Sequence, residues 1–414
     1  MTTECKSATR VSVAAAIGHA PAADRTSGDP LNSECGREGV PPESDRAISD
    51  IGTLRAHIMR WLSIPDEDAD LIDFCLAVYR SNAIPGDPLW GMIIDASGAG
   101  KTELLRAFRK REDVYCLSNL TEKTLISGYR DPTNPEKDPS LLPELNGKML
   151  VIKDLAPLLS MRRESRNSIF AQLRDAYDGF TDQGRGNIGK VAYESHFTML
   201  TAATLAIERY DTVDQELGER FIKIRSRGDG ARDKVRKAIS NIGNDDSMRE
   251  DIDAALSSFM NSLPQAKPMR IPERLQEALT DLADFTAKAR SPVSRNRNGE
   301  LQYTPKPEVG TRLGKELGKL LLALGVVHGK SEPDDAEFAI VQRVAEDCLP
   351  PNRLRVIDVL RSSEEAPTIS DIEDSSGLPR STISKALDDL EVLGAIERLY
   401  WEEHECSVWQ IKPK

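Results

Sequence analysis

The chain has 414 residues, enough for two or three domains with a substantial core, and its net charge of −12 excludes a protein that coats nucleic acid through its overall field. Six cysteines without close pairs argue against a disulfide framework, and five dispersed histidines argue against a metal centre. No apolar run approaches the ~20 residues needed to cross a bilayer, and no signal-peptide core is read at the N-terminus, so the expectation is a soluble cytoplasmic protein with no membrane partner.

Residues 1–48 mix Ala, Ser, Gly, Pro and charges without a sustained period and are expected to be a disordered N-terminal segment. Helical periodicity begins near Ile51 and recurs over Leu71–Tyr79, giving a helical lead-in over 49–83. The sequence "AIPGDP" (83–88) breaks it and feeds a buried strand, Leu89–Ile94. Apolar strands at 114–117, 149–152 and 197–203 alternate with helical stretches at 101–111 and 165–177. That rhythm predicts a parallel sheet with crossover helices on both faces over 84–226. From 227 to 347 helical periodicity takes over and predicts an all-α lid, interrupted at "SLPQAKP" and at the basic, flexible "SPVSRNRNGE".

The strand at 89–94 runs into "DASGAGKT" (95–102), a phosphate-binding loop whose usual first glycine is Asp95. Loop N–H groups from Ser97, Gly98, Ala99 and Gly100, and the positive end of the helix that opens at Lys101, would point at phosphate oxygens. Lys101 would reach the outer phosphates and the Thr102 hydroxyl would ligate magnesium, so ATP and Mg2+ are the expected cofactors. Asp95 adds repulsion at the far end of the loop without removing the groups that grip. Farther on, "GKMLVIKDLAPLL" ends its apolar strand at Lys153-Asp154, where an enzyme of this kind needs a carboxylate to position magnesium or activate water. Asp154 has to serve that role alone.

An amphipathic helix, "RNSIFAQLRDAYDGF", then leads to a glycine-rich turn, "DQGRGNIGK", flanked by residues able to pair as a hairpin. The buried strand "FTMLTAAT" ends in Thr204, "ELGERFIKIR" holds Arg220, and "EVGTRLGKELGKLLLALG" starts a helix near Arg312. This order resembles the AAA+ ATPases, and within them the minichromosome-maintenance helicases and related bacterial mobile-element and phage ATPases. The resemblance covers roughly 84–347 and implies an α/β P-loop AAA+ core. It implies Thr204 as first sensor, Arg220 as arginine finger, Arg312 as second sensor, and a hairpin around Arg185 and Lys190 facing the pore of a ring. The sequence departs from the family at Asp95, Lys153 and Thr204. Taken singly, each residue also has an ordinary reading: a strand-end threonine, an ion-paired arginine, a helix-supporting arginine, a solvated turn.

From 348 to 414 the pattern predicts a winged helix-turn-helix domain. Leu354, Ile357 and Leu360 mark its first helix, and Ser370 is read as N-cap of a second that stops at Gly377. "LPRSTISKALDDLEVLGAIE" is the third, with a DNA-reading start at Arg380, Ser381, Thr382 and Lys385. Over 352–414 there are 8 Lys or Arg against 13 Asp or Glu, and the wing tip holds Glu402, Glu403 and Glu405, so docking to a protein partner stays open beside DNA. The function these readings predict is a ring-forming ATPase, a homo-hexamer or other ring, that couples hydrolysis to nucleic-acid translocation or remodelling as a replication-helicase-like motor. The alternatives are a nucleotide-gated regulator or defence-system ATPase whose winged helix binds an operator or partner, and a scaffold that has lost turnover.

Overall fold

The computed structural model describes residues 48–98, 100–127, 139–185, 189–208, 220–228, 230–264, 269–401 and 406–412, with backbone alone over 183–185 and 189–191. The disorder expected for 1–48, the loop residue Ala99, the wing-tip glutamates and the side chains of Arg185 and Lys190 therefore lie outside the described residues.

Two helices come first, α1 (Ile51–Trp61) and α2 (Asp70–Ser81). An α/β region then alternates: β1 (Trp90–Ile94), α3 (Lys101–Arg106), β2 (Val114–Leu117), α4 (Leu142–Leu145), β3 (Met149–Ile152), α5 (Ala156–Leu159) and α6 (Arg163–Tyr177). A hairpin follows, β4 (Phe180–Arg185) and β5 (Gly189–Glu194), then β6 (Thr198–Ala203) and β7 (Phe221–Arg225). Helices α7 (Ala231–Ser240), α8 (Asp245–Ser262), α9 (Glu273–Arg290), α10 (Thr311–Val327) and α11 (Asp335–Asp347) come next. The C-terminal module is α12 (Pro351–Ser362), α13 (Ile369–Ser376), α14 (Arg380–Val392), β8 (Ile396–Trp401) and β9 (Cys406–Ile411).

Five strands form one parallel sheet in the order β2-β3-β6-β1-β7. Every residue of β1 is buried, because both sheet faces are covered. Alternate β1 residues serve different cores. Ile93 packs with α1, α2, α8 and α10, whereas Trp90, Met92 and Ile94 pack with α6. Gly91 is required by the first of these contacts: a Cβ there would meet Val78 Cγ2 at 2.7 Å and Phe74 at 2.8 Å. The predicted helix over 101–111 is shorter than the sequence suggested. It ends at Arg106, where bonds from Phe108 to Leu105 and Arg109 to Arg106 tighten the chain into turns that bury Phe108.

The stretch "SPVSRNRNGE" is an ordered turn and not the flexible break that was expected. Arg295 bridges Leu301, Asn296 Oδ1 accepts from the N–H groups of Asn298 and Glu300 at 2.9 and 3.0 Å, and Gly299 supplies the positive φ of 84°. In α13 the N-cap is Thr368 and not Ser370. Thr368 and Asp371 form a reciprocal capping box, a bond pattern that Ser370 inside the helix cannot make.

Glu316 of α10 is buried and accepts a 2.6 Å hydrogen bond from the Tyr177 hydroxyl. Loss of hydration on burial pushes its carboxyl up from 4.5 to about 7. The native state therefore holds a proton that the unfolded chain has released between those values, so this group's stabilisation is present below about 4.5 and is lost as pH rises through about 7. Melting temperatures of wild type and Glu316→Gln measured from pH 4.5 to 8 test this. The wild-type curve should fall more steeply across that window, and parallel curves would count against it.

Candidate nucleotide site and nucleic-acid interface

Parallel register brings the carboxyl ends of β1, β3, β6 and β7 to one edge, where open α/β sheets bind ligands. The loop leaves the central strand β1 there. Gly98 and Gly100 adopt φ of 78° and 88°, left-handed conformations in which a side chain would be strained. Ser97 and Thr102 are exposed. With Gly100 as its N-cap, α3 opens at Lys101. The Lys101 ammonium folds back over the loop and donates to the carbonyls of Asp95 at 2.8 Å and Ala96 at 2.5 Å. Partial burial lowers its pKa, against the nearby carboxylates of Asp95 and Asp154. Asp154, at the end of β3, is thus close enough for its charge to act on Lys101. Its Oδ1 also accepts from the Ala156 N–H at 2.9 Å, which fixes the turn into α5.

Strand β6 lies between β1 and β3, so Thr204 emerges between the loop and Asp154. The Asp95 N–H donates to the Ala203 carbonyl at 3.3 Å, which ties the loop's start to the end of β6.

One residue at this edge was missed in the sequence. Lys234 of α7 pairs with Asp95 at 3.4 Å, with side-chain exposures of 16% and 11%. The carboxylate that replaces the loop's first glycine therefore carries its own counter-charge. The two are 139 positions apart and no local pattern links them. Lys234 also lines a cavity of about 220 Å3 beside Gly98 and Gly100, walled by Trp61, Leu62 and Met248. Lys234→Ala should weaken ATP binding by roughly fivefold, a loss on the scale of one partly exposed charge pair. Asp95→Gly should leave binding equal or tighter, since Lys234 is then released toward phosphate. Titration of a fluorescent ATP analogue checks both, and loss of binding in Asp95→Gly would show that the carboxylate itself is needed.

Arg220 and Arg312 are not brought to this edge. Arg220 precedes β7, whose first residue pairs with Trp90 at the start of β1. Four residue steps of strand, roughly 13 Å, separate that edge from the loop. Arg220 lies over the Tyr177 ring at 5.4 Å and approaches Asp178 at 3.4 Å, with 13% of its side chain exposed. Arg312 pairs with Glu308 at 2.7 Å, and its charge reaches Tyr177 and Glu316. The two arginines thus share one neighbourhood, at the sheet's amino edge.

The hairpin read around "DQGRGNIGK" is present, with Gly184 opposite Lys190 and Arg185 opposite Gly189. In the C-terminal module, Ile383, Leu387 and Leu390 of α14 turn into a core shared with α12 and α13. Arg380, Ser381 and Lys385 are exposed and Thr382 is half-buried. Antiparallel β8 and β9 form the wing. The fold is thus a five-stranded parallel α/β sheet with helices and a C-terminal winged helix-turn-helix.

Residues 352–399 match the family model of the IclR helix-turn-helix domain. No curated protein matches the chain. Among the described residues, no helix is long and apolar enough to cross a membrane.

Proposed function

We propose that this protein is an AAA+ ATPase that assembles as a hexamer or other ring and couples ATP hydrolysis to moving or remodelling nucleic acid. One observation carries the reading: a loop with two left-handed glycines opens a helix at Lys101-Thr102 on the central strand's carboxyl end, within electrostatic range of Asp154. The position of β6 between β1 and β3 supports Thr204 as the first sensor of that arrangement.

The residues present suit magnesium and a nucleotide. One hydroxyl, Thr102, and one carboxylate, Asp154, leave the remaining positions for phosphates and water, as this ion prefers. When bound, the ion would neutralise charge on the phosphate oxygens. Lys101 would let go of its two loop carbonyls and bind the outer phosphates. Asp154 would hold the metal or accept the proton of the attacking water, and Thr204 would orient that water. Arg220 and Arg312 sit about a strand's length from their own loop, so they would act on a phosphate held by the neighbouring subunit. The hairpin of β4 and β5 would carry Arg185 and Lys190 to nucleic acid inside the ring.

A second reading is favoured by the helix-turn-helix match. Such a module reads duplex DNA through the second helix of its helix-turn-helix pair, here α14, which suits a nucleotide-gated regulator that needs binding more than turnover. ATP hydrolysis measured with and without single-stranded and duplex DNA, together with a duplex-unwinding assay, tests the two. The motor reading requires DNA-stimulated hydrolysis and strand separation. Tight ATP and duplex binding without either would favour the regulator.

A further inference from the structure

The winged helix-turn-helix is acidic, yet its reading helix faces basic chain from elsewhere in the protein. On α14, Ser381, Ser384, Lys385 and Asp388 follow a helical spacing and form one stripe, while Ile383, Ala386, Leu387 and Leu390 fill the module's core. That stripe lines a cavity of about 860 Å3. The opposite wall is the ordered turn 291–299 between α9 and α10. Six cationic side chains line the cavity against three carboxylates.

Two of the three carboxylates are paired with arginines, and Arg290, one of the six cations, is itself paired with Glu308 outside the cavity. Asp389 takes two hydrogen bonds from Arg295, at 3.0 and 2.7 Å, and a third from Arg353 at 3.1 Å. Glu208 is paired with Arg225. These contacts also fasten the turn to the reading helix, since Arg295 belongs to the turn and Asp389 to α14. Arg353 adds bonds to the carbonyls of Ala289 and Ser291 at 2.8 and 2.7 Å. The turn and the helix are therefore held as one surface. Arg297, at the tip of the turn, and Lys385, on the stripe, are both exposed and form no ion pair among the described residues. Asp388 is the one carboxylate of the cavity with no such pairing among the described residues.

We infer that α14 and the turn 291–299 form one composite duplex-DNA interface, in which the turn supplies the positive charge that the module lacks. This rests on the reading of the helix-turn-helix as a DNA-binding module. With α14 seated in a major groove about 12 Å wide, Lys385 and Arg297 take backbone phosphates on the groove's borders, and the Arg295–Asp389–Arg353 cluster fixes their spacing. The solitary Asp388 limits affinity.

The test uses the full chain and a labelled random-sequence 30-base-pair duplex, with fluorescence anisotropy followed across salt concentration. Arg297→Ala and Lys385→Ala should each weaken binding roughly three- to tenfold near physiological salt, and each should lower the slope of log affinity against log salt by about 0.9. Asp388→Asn should tighten binding, and Arg297→Lys should keep it. All three positions are exposed, so folding is not at stake, and circular dichroism checks it. If Lys385→Ala weakens binding while Arg297→Ala leaves affinity and slope unchanged, the turn is not part of the interface and the inference fails alone. Tighter binding by Arg297→Ala would make the turn an obstruction, which also overturns it. Failure of the wild type to bind duplex, or binding of single strands only, would overturn both the inference and the DNA-binding reading.

Discussion

Arg220→Ala is expected to bind ATP through its own Lys101 and yet hydrolyse it at least about a thousandfold more slowly, since fingers of this type contribute roughly 10³–10⁵ in rate. The reason is positional. Arg220 lies at the amino edge of the sheet, against Tyr177 and Asp178, and its own loop lies at the carboxyl edge. In the proposed ring, the phosphate it would reach is one held by another subunit. Hydrolysis per subunit should accordingly rise with protein concentration until rings fill. Mixing Arg220→Ala with Lys101→Ala protein should restore part of the activity, because some interfaces then pair an intact loop with an intact arginine. A purely structural Arg220, anchoring α6 to β7 through Tyr177, would lower thermal stability and give no rescue on mixing. Full activity in a strictly monomeric sample would also rule the finger out.

The second large effect is expected at the loop and its carboxylate, which should separate binding from turnover. Lys101→Ala removes the ammonium that folds over the loop and should weaken ATP binding at least about tenfold, the scale of a lost charge-assisted contact. Asp154→Asn keeps a side-chain oxygen to accept from the Ala156 N–H, so the turn into α5 should survive. It removes the charge proposed to position metal or water, and hydrolysis should fall on the order of a hundredfold with binding retained. Equilibrium titration and single-turnover hydrolysis on the same samples distinguish the two losses. Near-normal turnover in Asp154→Asn would transfer the catalytic role to another group.

Elements whose signals are local can be read directly along the chain. Strands 114–117 and 149–152 match β2 and β3 to the residue: each is a short apolar run bounded by polar turns, half-buried at the sheet's edge in β2 and fully buried inside it in β3. The glycines of the loop, the glycine that ends α13 and the three-helix periodicity of the C-terminal module were legible for the same reason: each is a constraint on a few consecutive residues. Relations between distant residues emerge only in the folded molecule. Lys234 neutralises Asp95 across 139 positions, and the register of β7 on β1 moves Arg220 to the edge opposite the loop. Arg295 and Arg353 hold Asp389 and thereby turn a stretch that reads as a flexible linker into a wall beside the reading helix. Charge pairing of this kind acts through space and leaves no periodic mark along the chain, so it becomes visible only once the fold has brought the partners within a few ångströms.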